Sequence, residues 1–130
     1  MHAAAERILV IKHGAFGDLV QADGVLRDIR AFHPHAEITL LTAPAFRKLM
    51  SRCPHVDHVL SDGRSPLWKI GAWIRLARQF RAGRFTRVYD LQNSDRTELY
   101  RKLFFRHVRW SGYRVHARKA AALEGLVVQL

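Results

Sequence analysis

Two stretches of this sequence set polar groups where a ligand can be held. In the first, Arg7 to Asp18 (R-I-L-V-I-K-H-G-A-F-G-D), four apolar residues give way to His13, Gly14, Gly17 and Asp18. Gly14 and Gly17 allow a phosphate or sugar to approach the backbone, and equally suit a plain turn. His13 adjoins that turn, within reach of a ligand or of water. Asp18 falls at the start of a helical pattern, facing free helical N–H groups beyond a strand end, where ligands sit in open α/β sheets. The competing role for Asp18 is a helix N-terminal carboxylate favoured by the macrodipole. The glycine spacing is not G-x-G-x-x-G, which gives little support to a dinucleotide site. In the second stretch, Arg64, Lys69, Arg75, Arg78 and Arg81 surround one amphipathic segment. Arginine forks there can pair with carboxylates or phosphates, or simply form a solvated face. A third, shorter group, Asp90, Gln92, Asn93 and Ser94, follows another strand-like run.

The elements that must position these groups alternate. Ile8 to Ile11, mostly β-branched between Arg7 and Lys12, suit a central parallel strand covered on both faces. Leu19, Val20, Ala22, Val25, Leu26 and Ile29 then form one helical stripe over about Asp18 to Phe32, ahead of the break at Pro34. Strands are expected at Glu37 to Thr42, at His58 to Leu60 and at Arg87 to Leu91, with a last short one around Val108 to Ser111. Between them lie a short helix over Ala45 to Arg52, with Phe46, Leu49 and Met50 inward, and the basic helix over Pro66 to Arg81. That helix turns Leu67, Ile70, Trp73, Ile74, Ala77 and Phe80 inward and ends at Gly83; another helix spans about Arg96 to Phe105. Alternation of this kind implies right-handed crossovers and an open, Rossmann-like parallel α/β sheet with helices on both faces.

Composition narrows the class. With 130 residues and 48% apolar content the chain is expected to form one globular domain. Its single cysteine, Cys53, excludes an internal disulfide and fits a reducing compartment. The early apolar run ends at Lys12, too short for a signal-peptide core or a membrane span. The net charge of +11 is lopsided: residues 1–63 carry seven Lys/Arg and seven Asp/Glu, residues 64–130 fifteen basic against four acidic. An anionic partner is expected, and nucleic acid, an anionic membrane surface and a phosphorylated saccharide all satisfy that field. No recognition-helix or RNA-motif signature favours nucleic acid. Trp68 and Trp73 can reach a membrane interface, with core packing the better use of Trp73. His33, His35, His55 and His58 with Cys53 superficially suggest a metal, but C-x-H-x-x-H lacks the paired spacing of a zinc module, and surface or loop positions are expected.

The opening I-L-V-I-K-H-G-A-F-G-D-L-V, the run F-H-P-H-A-E-I-T-L-L-T, then C-P-H-V-D-H-V-L and Y-D-L-Q-N-S, in this order, resemble the N-terminal domain of the lipopolysaccharide heptosyltransferase family over about residues 7 to 110. The resemblance implies the N-terminal half of a GT-B fold, on the acceptor side of a glycosyltransferase that moves heptose from an ADP-sugar to the lipopolysaccharide inner core. It implies no cofactor, since the nucleotide sugar is a substrate. It assigns Asp18 as the general base that deprotonates the acceptor hydroxyl. His13, Gly14, Gly17, Arg64, Arg75, Arg78, Asp90 and Gln92 are the expected substrate-binding residues, with the basic region facing an anionic acceptor. A cytoplasmic location follows, with peripheral contact at the inner membrane. Asn93 stands where the family commonly has glycine after D-x-Q, and residues 112–130 depart from the family pattern. The expectation is an acceptor-side domain over 7–111, a divergent tail and no donor-binding domain, inactive alone. The alternative is a non-catalytic basic module for nucleic acid or an anionic membrane.

Overall fold

The computed structural model describes residues 6–13, 16–92 and 94–112, with residues 16–22 described by their backbone. Five strands, β1 (Arg7–Ile11), β2 (Glu37–Thr42), β3 (His58–Ser61), β4 (Arg87–Asp90) and β5 (Arg109–Gly112), pair in parallel in the order β3-β2-β1-β4-β5. The uninterrupted apolar run of β1 takes the centre, with Ile11 in register with Leu41 on one side and Asp90 on the other. A strand buried on both faces has no need to alternate, and Ile8, Leu9, Val10 and Ile11 are all fully buried.

Among the described residues four α-helices cover the sheet: α1 (Phe16–Phe32), α2 (Arg47–Met50), α3 (Ile70–Gly83) and α4 (Asp95–Phe104). Residues along β1 alternate between two cores. Ile8 and Val10 pack with Ile38, Leu40, Leu26, Ile29 and Met50, on the α1 and α2 side. Leu9 and Ile11 pack with Leu41, Val88, Leu76, Phe80 and Tyr100, on the α3 and α4 side. Right-handed crossovers explain the division. The chain winds from β1 outward to β3, then returns past β1 to wind through β4 and β5, and the reversed direction sends the later helices to the opposite face. The crevice at such a reversal lies outside the carboxyl ends of β1 and β4.

The strands and helices lie within a few residues of the sequence expectation, and three of the helical faces differ from it. In α1, Leu26 and Ile29 are buried, whereas Val25 faces out. In the short helix, Met50 is buried and Phe46 partly so, but Leu49 is exposed. The basic helix begins at Ile70, not Pro66, and its buried side is Trp73, Leu76 and Phe80. Leu67, Ile70 and Ile74, expected inside, are exposed. The reason is that the apolar stripe of this segment is wider than the groove left by β1, β4 and α4, so one edge of it stays uncovered. Gly83 also has a different role from the one expected. It remains helical, and Arg84 takes the left-handed cap with φ 48°. A Cβ at Gly83 would lie 2.3 Å from the Phe85 ring, so the glycine is needed for close packing and not for a positive φ. Gly112, placed in the tail by sequence, is the last residue of β5; residues 113–130 lie outside the described part.

Candidate functional site

The turns after β1 and β4 meet at the sheet's carboxyl edge. Lys12 N–H donates to the Leu41 carbonyl (2.9 Å), and the Lys12 ammonium reaches the Leu91 carbonyl (3.5 Å). Leu91 N–H donates to the Ile11 carbonyl (3.0 Å), tying the two turns together. Asp90, buried, accepts from Gln92 N–H at 3.0 Å, an i→i+2 closure that shapes the β4–α4 turn. Ser94 then caps α4 through a reciprocal box with Thr97. The structure thus brings His13, Asp90 and Gln92 to one edge. Asp18 is the third residue of α1, in the first turn that leaves this edge, and Gly17 precedes it. Gly14 and Asn93 lie outside the described residues, as do the side chains of residues 16–22.

Beside this crevice is a buried polar network that the sequence reading missed. Asp62, following β3, accepts two hydrogen bonds from Arg96, Nε to Oδ2 at 2.9 Å and Nη2 to Oδ1 at 3.0 Å, and a third from Arg64 N–H at 2.9 Å. The same guanidinium donates to the Tyr100 hydroxyl (2.7 Å) and the Ser65 carbonyl (2.8 Å), and lies 4.5 Å from the centre of the Trp73 ring. Arg96 therefore fastens the β3–α3 loop to α4. One sequence signal was available: Arg96 is the second residue of α4, where the macrodipole disfavours a cation, so another interaction must hold it there. In the sequence, Asp62-Gly63 signals only a local turn, because the partner of Asp62 is 34 residues away.

His13 closes the network from the sheet side. It is 2% exposed and does not point to water; its Nε2 is 3.4 Å from the Tyr100 hydroxyl and 3.8 Å from Asp62 Oδ2. Burial pulls its pKa down from 6.5 to about 4; Asp62 opposes the shift, while Arg64 and Arg96 add to it. The imidazole is consequently neutral near pH 7. Because the folded pKa lies below the unfolded one, the unfolded chain takes up this proton first as pH falls. Stability contributed by neutral His13 is complete above about pH 6.5 and is lost progressively down to about 4, by up to about 3 kcal/mol. Urea unfolding at pH 7.5 and 4.5 should show the loss in the original chain and a smaller one in His13→Gln. Equal losses in both proteins would remove His13 from the account.

The five basic residues around the third helical segment are not gathered at one point. Arg64, exposed and left-handed at φ 55°, stands in the loop beside Asp62, and Lys69 is also exposed, just ahead of α3. Helix α3 runs back toward the start of β4, so Arg78 and Arg81 are carried roughly 12 and 16 Å along it from Ile70. These two, with Arg84, line a groove of about 640 Å³ formed with Ile74, Leu103 and Phe104. Arg75 is exposed on the solvent side of α3. Arg64 is thus the expected binding arginine nearest the carboxyl edge.

Two of the histidines, His33 and His58, have other partners. His33, half-buried and not a surface residue, bonds Glu6 and the Tyr89 hydroxyl (both 2.8 Å), and His58 pairs with Glu37. Cys53 Sγ lies 3.7 Å from Asp23 Oδ1, and burial pushes its pKa up. Among the described residues no group of three or more His, Cys, Asp or Glu side chains is arranged to hold a metal, and no helix is long and apolar enough to cross a membrane.

No family model matches the chain. It is 32% identical over 95 residues to lipopolysaccharide heptosyltransferase 2 of Escherichia coli and, equally, to that of Salmonella typhimurium, over 72% of this chain and 27% of each relative. The chain therefore spans little more than a quarter of the length of these curated relatives. Its fold is similar to that of a glycosyl transferase family 9 protein from Veillonella parvula, with a TM-score of 0.66 and 21% identity, over 86% of this chain and 37% of that one. It is also similar to the structure of E. coli ADP-heptose lps heptosyltransferase II, with a TM-score of 0.62 and 28% identity, over 78% of this chain and 28% of that one. By the ordered motifs, by sequence identity and by its Rossmann-like sheet, the chain belongs to the lipopolysaccharide heptosyltransferase family of glycosyltransferases.

Proposed function

We propose that these residues form the acceptor side of a glycosyltransferase that moves a heptose from an ADP-sugar to the lipopolysaccharide inner core, at the cytoplasmic face of a membrane. The observation that supports this reading is the meeting of Lys12, His13, Asp90, Gln92 and the first turn of α1 at the carboxyl edge, within the segment similar to heptosyltransferase 2. Asp18 acts as the general base: its carboxylate takes the proton as the acceptor oxygen bonds to the sugar carbon. The sugar–phosphate bond breaks, and ADP leaves with the electron pair. Donor binding falls to a second domain outside these 130 residues, so the chain alone holds one reactant and gives no turnover.

Arg64 supplies an acceptor contact. Its backbone is fixed by the Asp62 carboxylate in a left-handed turn while its side chain is exposed beside the crevice. Calorimetric titration of the chain with a phosphorylated core oligosaccharide should give salt-sensitive binding, weakened in Arg64→Gln by about 1–3 kcal/mol for a lost charge-assisted contact. ADP-heptose should bind too weakly to measure. An oligosaccharide that fails to bind, or ADP-heptose binding in its place, would overturn the acceptor-side reading.

A further inference from the structure

We infer that the groove between the C-terminal halves of α3 and α4 is a binding site for a small organic phosphate, a phosphate monoester carried on an aromatic hydrocarbon body. The groove measures about 640 Å³, within the roughly 300–1,000 Å³ of small-molecule sites. Phe80 and Phe85 form its buried lining, and Ile74, Leu103 and Phe104 its more exposed sides. Phe85 and Val108, also at the groove, lie just ahead of β4 and β5. It therefore opens at the amino end of the sheet, away from His13 and the first turn of α1. The inference needs no transferase activity and stands apart from the acceptor-side reading.

Three guanidiniums are the polar groups of this groove among the described side chains: Arg78, Arg81 and Arg84. Arg78 and Arg81 are i,i+3 neighbours on one face of α3. Arg84 holds the left-handed cap, where glycine is the ordinary choice; the glycine of this turn stands one residue earlier, against the Phe85 ring. Like charges so placed repel, and the surrounding sequence does not relieve them. No Asp or Glu lies between Gly63 and Tyr89, and the acids of α4, Asp95 and Glu98, sit in its first turn, away from Leu103 and Phe104. Among the described residues the ion-paired arginines are Arg7, Arg30, Arg96 and Arg101, none of them in the groove.

Charge and lining together select the ligand. A phosphate monoester brings nearly two negative charges and three acceptor oxygens, enough for more than one guanidinium, whereas a carboxylate fills a single fork. The hydrocarbon lining selects the body. Phe80 packs against Phe104 (centroids 5.4 Å apart, T-shaped) and Phe105 (4.9 Å), and a ligand ring extends that cluster. A nucleotide or sugar phosphate would set hydroxyls and base edges against side chains that cannot pair with them. Duplex nucleic acid has phosphates but no apolar group to fill the space, and a second copy of this chain brings another net charge of +11.

The test is calorimetric titration of the 130-residue chain with naphthyl phosphate, naphthol, inorganic phosphate and ADP. Naphthyl phosphate should bind at least about tenfold tighter than any of the other three, because it alone uses both the arginines and the lining. Arg78→Gln/Arg81→Gln should weaken its binding at least about tenfold, and Leu103→Gln about threefold. The unfolding midpoint should stay in place in both variants, since all three side chains are exposed. Lys69→Gln/Arg75→Gln removes the same charge from outside the groove and should change the affinity by less than about twofold. Equal losses in the two double variants would reduce the effect to adsorption of anions on a basic chain and overturn the proposal. So would inorganic phosphate or ADP binding as tightly as naphthyl phosphate, undiminished binding in Arg78→Gln/Arg81→Gln, or failure of naphthyl phosphate to bind.

Discussion

Asp18→Asn, in a protein where these residues are joined to a donor-binding domain, is expected to lower kcat by about 100-fold or more while leaving acceptor affinity nearly unchanged. The substitution keeps the size of the side chain and its capacity to hydrogen-bond, so the first turn of α1 should persist. What it removes is the acceptor for a proton. A general base contributes about 10²–10⁴-fold, and a group that acts only as the hydroxyl ionises should move kcat and kcat/KM together. If Asp18 serves only to complement the helix macrodipole, the change would cost about 0.3–1 kcal/mol of stability and leave the rate nearly normal. Steady-state kinetics together with thermal unfolding separates the two roles, because each predicts an effect where the other predicts almost none.

The largest stability effect is expected at Arg96. Replacing it with Met keeps much of the aliphatic bulk but leaves Asp62, 7% exposed, without its two strongest donors and facing a neutral His13. A buried charge stripped of its partner costs about 3–5 kcal/mol, a large part of the roughly 5–15 kcal/mol that holds a domain of this size. Neutralising the stranded carboxylate should recover part of the loss, so Asp62→Asn/Arg96→Met should be more stable than Arg96→Met alone. Urea midpoints for the two singles and the double give the coupling directly. A cost below about 1 kcal/mol for Arg96→Met would mean that the pair behaves as a solvent-screened one. Because Arg96 also fastens the loop that carries Arg64, its loss should weaken saccharide binding even at temperatures where the fold survives.

Sequence alone determined the order and type of the elements. A β-branched run, the 3.6-residue spacing of apolar groups, and punctuation by Pro34 and Asp62-Gly63 act over a few residues, so they are legible without a fold. The ordered motifs determined the family in the same way, because spacing along the chain is itself sequence information. What tertiary structure decided was which of several allowed faces is buried and which distant groups meet. Local spacing allowed α3 to bury Ile70 and Ile74; the space left between the sheet and α4 instead took Trp73, Leu76 and Phe80 and left the isoleucines outside. His13 was legible as a residue beside a glycine turn, but its neutrality comes from burial and from Arg64 and Arg96, and the hydroxyl nearest it belongs to Tyr100, 87 residues along the chain. The Asp62–Arg96 pair spans 34 residues in the same way. Such contacts form only when β3, α3 and α4 close on one another, and a burial energy created by that closure leaves no periodicity in the sequence from which to read it.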